Sequence, residues 1–78
     1  RIDVKPIPRE RVVEAAAAYR EVLTQQGCHI MSEKKNTVKE RISFIFRASS
    51  KVTRLQLEEA LEAEVDERLK APIDWEID

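Results

Sequence analysis

Apolar and polar residues alternate over residues 38–48, the longest β-like stretch of the chain. Side chains two positions apart lie on the same face of a strand, so Ile42, Phe44 and Phe46 point to one side. The other side carries a mixed set: Arg41, Ser43, Ile45 and Arg47. One apolar face and one mixed face are typical of a strand that packs on a core from one side only. The pattern therefore predicts a central strand over residues 38–48, with both phenylalanines in the core.

Two stretches have the period of an amphipathic helix. In residues 9–26 apolar side chains recur at steps of three and four, and Gly27 follows where a left-handed C-terminal cap is expected. The second stretch begins at Thr53, which matches a capping box with Gln56, and it continues to Leu69. The sequence thus predicts two helices, each with one apolar stripe. The stripe positions are Val12, Ala16, Tyr19, Leu23, Leu57, Ala60, Leu61, Val65 and Leu69.

Three shorter stretches complete the predicted fold. Residues 2–5 alternate and end at prolines, residues 28–33 form a second strand, and polar residues 34–36 suit a hairpin turn into the 38–48 strand. Residues 73–78 alternate throughout and form the last strand. The order strand, helix, strand, strand, helix, strand leads to an α+β, ferredoxin-like βαββαβ sandwich. We expect residues 1–78 to form a single domain, with a four-stranded antiparallel sheet, two helices on one of its faces, and the first and third strands at its centre.

Composition and charge fit such a domain and exclude few functions. Apolar residues make up 42% of the chain and charged residues 37%, as in soluble globular domains. A net charge of −1 gives no overall case for binding nucleic acid. The charge is uneven, however: residues 1–57 carry twelve basic and six acidic side chains, and residues 58–78 carry two basic and nine acidic ones. Because the chain opens on Arg1 rather than methionine, we expect it to be part of a longer protein.

The sequence contains few residues that could act as a catalytic nucleophile or base. The only histidine, His29, follows the only cysteine, Cys28, and neighbouring residues of a strand face opposite sides. The two cannot form a nucleophile and base on one strand. A single cysteine also excludes an internal disulfide and a zinc site of several thiolates. We therefore predict a protein that is not an enzyme, with no catalytic residue and no cofactor.

Three acidic residues of the last predicted strand, Asp74, Glu76 and Asp78, share one face and are candidates for a cation site. Mg²⁺ prefers oxygen ligands gathered around one point. Carboxylates two residues apart on a strand lie about 7 Å from one another and do not converge. We favour an edge that is charge-paired, with Lys5 on the neighbouring strand as a partner, and keep the cation site as the alternative.

Phe44 and Phe46 also allow a third interpretation, because RNA-recognition modules place aromatic residues on their third strand. The signature of those modules contains a glycine that is absent from residues 41–46, and the phenylalanines lie on the more apolar face. We therefore predict no nucleic-acid partner and keep an RNA-binding module as a distant alternative.

The reverse side of the hairpin offers a surface instead. If helices cover the Phe44 face, then His29, Met31, Ile45 and Arg47 lie on the open side of the sheet. Met31 and Ile45 would form a small apolar patch among charged residues, which is a feature of interaction surfaces. This predicts a protein partner or self-association through these four residues.

Several stretches together resemble a known family. They are Pro-Arg-Glu at residues 8–10, the alanine-rich first helix, Gly27 entering a strand, the 38–48 strand, Leu-Glu-Glu-Ala-Leu at 57–61 and Ile-Asp-Trp-Glu at 73–76. With this order of elements, nearly the whole chain resembles the C-terminal, ACT-like cytosolic domain of the bacterial MgtC/SapB family. The final Trp-Glu strand is the most suggestive of these features.

The resemblance implies a parent protein of the bacterial inner membrane, with a helical membrane part before Arg1 and this domain on the cytoplasmic side. The family is linked to growth in low magnesium and to survival inside host cells, which implies a regulatory rather than a catalytic role. ACT-type domains elsewhere bind amino acids through a glycine-containing first turn, and residues 6–9 read Pro-Ile-Pro-Arg. We therefore do not transfer that ligand site; a small-ligand or divalent-cation sensing ACT-like domain remains the alternative function.

Overall fold

The computed structural model describes residues 1–70 and 75–77, and the order of its elements is the predicted one. Strand β1 is Ile2–Val4, β2 is Cys28–Asn36, β3 is Arg41–Ala48 and β4 is Trp75–Ile77. Helix α1, Val12–Gln25, follows a 3-10 turn at Arg9–Arg11. Helices α2, Arg54–Ala60, and α3, Asp66–Leu69, are joined by a π-helical turn at Leu61–Val65. We refer to the continuous run from Arg54 to Leu69 as the second helix.

The four strands form one antiparallel sheet in the order β2-β3-β1-β4. Central strand β1 pairs with β3 on one side, where Val4 lies opposite Ile42, and with β4 on the other, where Val4 lies opposite Trp75. This confirms the α+β class, the four-stranded antiparallel sheet and the central position of the first and third strands. The architecture is compatible with a ferredoxin-like or ACT-like fold.

The core lies between the helices and the predicted apolar face of the sheet. Ile42 and Phe44 are fully buried, and the rings of Phe44 and Tyr19 stack with their centroids 6.4 Å apart. Phe46, nearer the end of β3, is only partly buried against this cluster. The alanines of α1 let the helix approach the sheet closely, because Ala15 and Ala16 are both fully buried. The other large side chains that are fully buried in the described part of the chain are Ile2, Val4, Ile7, Val12, Tyr19, Val22, Leu23, Leu61, Val65 and Leu69.

Both helices are followed by a residue in the left-handed conformation, and the sequence predicts this only for Gly27. Gly27 has φ of +88°, and its N–H donates to the carbonyl oxygen of Thr24 at 3.1 Å. A glycine is favoured here because residues with a Cβ are strained at positive φ. The second helix ends at Lys70, whose φ is +57°.

The predicted capping box of the second helix is present. The Gln56 N–H donates to Thr53 Oγ1 at 3.1 Å, and the Thr53 N–H donates to Gln56 Oε1 at 3.0 Å. Farther along, the spacing of Glu64 with Arg68 suggests an ion pair within the helix, but Arg68 instead reaches Glu21 of α1 at 2.7 Å. This pair ties the two helices together on their exposed side.

Strand β2 is longer than its sequence suggests, and this is the main departure from the prediction. Residues 34–36 were expected to turn, but they pair with β3, where Lys34 lies opposite Ser43 and Asn36 opposite Arg41. The turn lies at residues 37–40, where Asn36 Oδ1 accepts from the Lys39 N–H at 3.0 Å. The polar residues tolerate the strand because β2 is an edge strand and extends beyond the core.

The last strand is confirmed over Trp75–Ile77. The predicted strand covered residues 73–78, so two of its candidate acidic residues, Asp74 and Asp78, lie outside the described residues. In the described part of the chain, no helix combines the length and the apolar character that crossing a bilayer requires.

Candidate functional site

The side of the sheet that faces away from the helices is the candidate site, and we call it the open face. Its side chains alternate with the core positions, so the register of the strands defines it. Central strand β1 contributes Asp3, between Ser43 of β3 and Glu76 of β4. The other members on β2 and β3 are His29, Ser32, Lys34, Asn36, Arg41, Ile45 and Arg47.

A group of four residues, joined by one hydrogen bond and two ion pairs, occupies the middle of the open face. The Ser43 hydroxyl donates to Asp3 Oδ1 at 2.6 Å, and Arg41 Nη2 lies 3.2 Å from the same oxygen. Arg1 Nε lies 3.3 Å from the other oxygen, Oδ2. The Asp3 side chain is only 13% exposed beneath these partners. The group therefore presents guanidinium groups to solvent and hides the carboxylate.

The same contacts set the ionisation of Asp3. The hydrogen bond from Ser43 lowers the pKa of the Asp3 carboxyl below its usual value, burial opposes this, and the two arginines lower it further. Asp3 consequently stays ionised at neutral pH, and its charge keeps Arg1 and Arg41 in place. The sequence did not identify this group, because its members come from two strands that are about forty residues apart in the chain.

The four predicted interaction residues are not equally placed. His29 and Arg47 are directly opposite one another on the open face, and both are exposed. Ile45 lies opposite Ser32, two residues before Arg47 in sequence, and is 50% exposed. Met31 is the extra residue of a β-bulge between Ile30 and Ser32 and has no partner on β3. Three of the residues therefore form one surface, while Met31, 57% exposed, lies at an irregularity of the edge strand.

A shallow depression of about 150 Å³ lies beside Ile45. Its walls are Arg1, Ser32, Lys34, Ser43 and Ile45. Lys34 went unnoticed in the sequence because residues 34–36 read as a turn, and Ser32 went unnoticed because the bulge at Met31 brings it to the open face. Glu33 points to the other side of the sheet, where it lies 3.4 Å from Arg20 and 3.1 Å from Lys35.

The candidate cation site is represented in the described residues by Glu76, which is exposed and lies directly opposite Asp3. Lys5 and Trp75 line the same hollow with these two carboxylates. The Asp3 carboxylate is already neutralised by two guanidinium groups. Among residues 1–70 and 75–77, no three histidine, cysteine or acidic side chains are grouped closely enough to hold a metal ion.

A second hollow, of about 250 Å³, lies on the helix side of the sheet where the second helix begins. Phe46, Val52, Leu57 and Ile77 provide its apolar walls. Arg54 borders it and donates to the carbonyl oxygen of Ile77 at 2.6 Å. Since Arg54 also pairs with Glu58 at 3.0 Å, its guanidinium is committed to the protein itself. Arg1 and Thr53 also line this hollow, but its walls are otherwise mostly apolar, so it continues the core to the surface.

Cys28 and His29 face opposite sides of the sheet, as predicted. Cys28 is buried opposite Ala48, and burial raises the pKa of its thiol. A buried thiol with a raised pKa is a poor nucleophile at neutral pH. His29 is exposed on the open face and cannot reach it.

The two sides of the molecule also differ in charge. The open face carries Arg1, Lys34, Arg41 and Arg47, whereas its acidic residues are Glu76, which is exposed, and Asp3, which is covered. The outer side of the second helix carries Glu59, Glu62 and Glu67, all exposed. The uneven charge of the sequence is thus an uneven charge of the surface, and the open face is its basic side.

Comparison of the chain with protein-family models, with curated proteins and with solved structures finds no match.

Proposed function

We propose that this chain is a non-catalytic regulatory and interaction domain of a bacterial inner-membrane protein of the MgtC/SapB type, and that it acts through contacts of its open face. In this proposal the domain lies on the cytoplasmic side of the membrane and takes part in the response to low magnesium. The βαββαβ architecture supports it, because an ACT-like domain is what the resembling stretches imply.

The observation that carries the proposal is the exposure of Ile45 at the centre of a basic surface. One face of the sheet is covered by both helices and contains the core, whereas the described residues leave the other face open. Ile45 is half exposed there, two residues from Arg47 on β3, and it lines one depression with Arg1 and Lys34. An apolar centre with a charged rim is the arrangement found in protein interfaces. A partner that covers Ile45 gains about 1 kcal/mol from this side chain.

The chemistry of the open face supports a role in binding rather than catalysis. Its polar side chains are cations, hydroxyl groups, His29, Asn36, the exposed carboxylate of Glu76 and the covered carboxylate of Asp3. The Ser43 hydroxyl hydrogen is already given to Asp3. A serine nucleophile needs a base that accepts its proton and is itself held in place by a third group. Asp3 is instead fixed between two arginines, which favour its charged form and make it a weak base.

Analytical ultracentrifugation of the purified domain tests the contact. The substitution Ile45→Asp is expected to abolish concentration-dependent association while circular dichroism and thermal unfolding stay those of the parent domain. Val38→Asp is the matched control, because Val38 is 76% exposed in the turn at residues 37–40, away from the open face. Sedimentation profiles of Ile45→Asp and the parent domain that coincide at every concentration would exclude self-association through this face.

The membrane part of the proposal has its own test. The coding sequence before Arg1 is expected to contain several apolar runs of about 20 residues, each long enough for a spanning helix. A parent protein with no such run on either side of this domain would contradict the assignment, whatever the outcome of the sedimentation experiment.

A further inference from the structure

The depression beside Ile45 has the character of an anion site. We propose that it binds the phosphate group of a small anionic ligand or of a lipid headgroup, through Lys34, Ser32 and Arg1. The inference shares with the proposed function only the exposure of the open face, and it does not depend on any protein contact. The two can therefore fail separately.

Lys34 and Ser32 supply unused hydrogen-bond donors. They lie two residues apart on β2, so their side chains share the open face and are about 7 Å apart along the strand. Within residues 1–70 and 75–77, neither side chain has a hydrogen bond or an ion pair. An ammonium group with three donors and a hydroxyl group with one thus flank the depression without a protein acceptor. An anion with several oxygens can accept from both.

The group of residues around Asp3 positions Arg1 on the remaining side of the depression. Arg1 lines the depression, and its Nε is held by Asp3 Oδ2, which leaves the other N–H groups of its guanidinium for a ligand. Ser43 also lines it, but its hydroxyl donates to Asp3, so Ser43 acts here by fixing the carboxylate that holds Arg1. The Arg1 side chain is therefore already oriented, so it loses less conformational entropy when a ligand binds.

The charge balance favours an anion. Arg1 and Lys34 line the depression, and Arg41 beside Asp3 adds a third positive charge. The negative charges of the open face near them are that of Asp3, which is covered, and that of Glu76, which lies beyond Asp3 on β4. The nearest acidic residue on β2, Glu33, points to the opposite face and is paired with Arg20 and Lys35. The electrostatic potential at the depression is therefore positive, although the chain as a whole carries −1.

The size of the depression fits a phosphate group. Its volume of about 150 Å³ is well above the roughly 10–15 Å³ that one water molecule needs, so a group of the size of phosphate can enter it. Ile45 forms an apolar wall beside the charged donors. This wall suits the first carbon atoms of a phosphate ester, so a phosphomonoester such as glycerol 3-phosphate is expected to bind at least as well as inorganic phosphate.

Amide chemical shifts of the ¹⁵N-labelled domain test the site directly. Inorganic phosphate, added at constant ionic strength against sodium chloride, is expected to give saturable shifts at Ser32, Lys34 and Ser43. Lys34→Gln and Ser32→Ala are each expected to weaken binding about fivefold, the effect of losing one charged or hydroxyl contact near the surface. Lys39→Gln is the matched control, since it removes the same charge from the exposed turn at residues 37–40 and should leave the affinity unchanged.

Two further arms identify the source of the phosphate group. Glycerol 3-phosphate reports on soluble esters, and flotation with vesicles of phosphatidylglycerol and phosphatidylcholine, against phosphatidylcholine alone, reports on lipid headgroups. Shifts with soluble phosphates assign a free ligand, whereas binding to phosphatidylglycerol that Lys34→Gln weakens assigns a lipid. The site is refuted if soluble phosphates give no saturable shift and vesicle binding does not depend on Lys34, or if Lys39→Gln weakens binding as much as Lys34→Gln. In phosphate-free buffer Lys34→Gln should sediment as the parent domain, so its result is independent of the Ile45 contact.

Discussion

Ser43 donates its hydroxyl hydrogen to Asp3 across the β1–β3 pair, with 2.6 Å between the two oxygen atoms, on the side of the sheet away from the core. This bond links the fold to the proposed site. It joins the two central strands on the face opposite their buried side chains. It also holds the Asp3 carboxylate, which positions Arg1 and Arg41. Losing it should affect both stability and the arrangement of cations on the open face.

Replacement of Asp3 should change how stability depends on pH. The folded-state pKa of Asp3 lies below its value of 3.8 in model compounds, because Ser43 and the arginines favour the ionised form. The unfolded state thus binds more protons in the acid range, so this contribution is complete above the unfolded pKa and is lost as pH falls through the folded one. We expect Asp3→Asn to cost about 1–2 kcal/mol at pH 7 and clearly less at pH 3. Urea unfolding at both pH values measures this difference.

Two variants show whether the contacts themselves are responsible. Ser43→Ala removes the largest cause of the lowered pKa of Asp3. The free energy of unfolding of this variant should therefore also differ less between pH 7 and pH 3 than that of the parent domain. Glu76→Gln removes a negative charge directly opposite Asp3 without removing a hydrogen bond, and should change stability at pH 7 by no more than about 0.5 kcal/mol. An Asp3→Asn penalty that is the same at both pH values would contradict the ionisation argument.

Phe44 is expected to be the side chain of β3 on which stability depends most. It is fully buried and stacks on Tyr19, so Phe44→Ala should cost about 3–5 kcal/mol through lost burial and a residual cavity. Ile45 is the next residue, but its side chain lies on the open face. Ile45→Ala should therefore lower the free energy of unfolding by less than about 1 kcal/mol. Chemical denaturation compares the two variants.

A smaller substitution keeps this comparison measurable if Phe44→Ala has no cooperative transition. Phe44→Leu retains most of the apolar volume and should be intermediate between Phe44→Ala and the parent domain. Equal losses for Phe44→Ala and Ile45→Ala would mean that the two faces of β3 are buried alike, against the structure and against the alternation from which the fold was predicted.

The alternation within residues 38–48 predicted the two faces of β3 correctly. Successive side chains of a strand point to opposite faces, so a period of two is enough to assign each residue to the buried or the exposed face. The predicted start of the strand was wrong, whereas its end at Ala48 was right. Val38, Lys39 and Glu40 continue the local pattern, but they form the turn, since Lys34 and Asn36 pair with β3 instead. The pairing of residues depends on contacts between two strands, so the periodicity of one strand alone does not show which residues pair.

The candidate site shows the same limit. His29, Ile45 and Arg47 were placed on the open face by alternation alone, and the structure puts them there. The bulge at Met31 shifts the register by one residue and brings Ser32 opposite Ile45, which no local rule foresees. The depression bounded by Arg1 and Lys34 depends on that register and on the pairing of β1 with β3, so the sequence could not reveal it.

Gly27 should resist replacement because of its backbone conformation rather than its surroundings. A Cβ built on Gly27 would lie 3.6 Å from Val52 Cγ2, an ordinary contact, whereas its φ of +88° is unfavourable for residues with a side chain. We expect Gly27→Ala to cost about 1 kcal/mol and Gly27→Asn less, since asparagine tolerates left-handed conformations better. Thermal unfolding of both variants measures this order, and an asparagine variant less stable than the alanine variant would point to crowding at Val52.

Magnesium titration addresses the acidic last strand. Mg²⁺ requires several oxygen ligands in near-octahedral geometry, but Asp3 is occupied by Ser43 and two guanidinium groups, and Glu76 is exposed opposite it. We therefore expect Mg²⁺, added to about 10 mM against sodium chloride of equal ionic strength, to give no saturable amide shift at Asp3 or at Trp75–Ile77. Because Asp74 and Asp78 lie outside the described residues, the titration is a direct test of the cation site suggested by their sequence. Saturable shifts that Glu76→Gln abolishes would favour a divalent-cation sensor over the interaction domain proposed above.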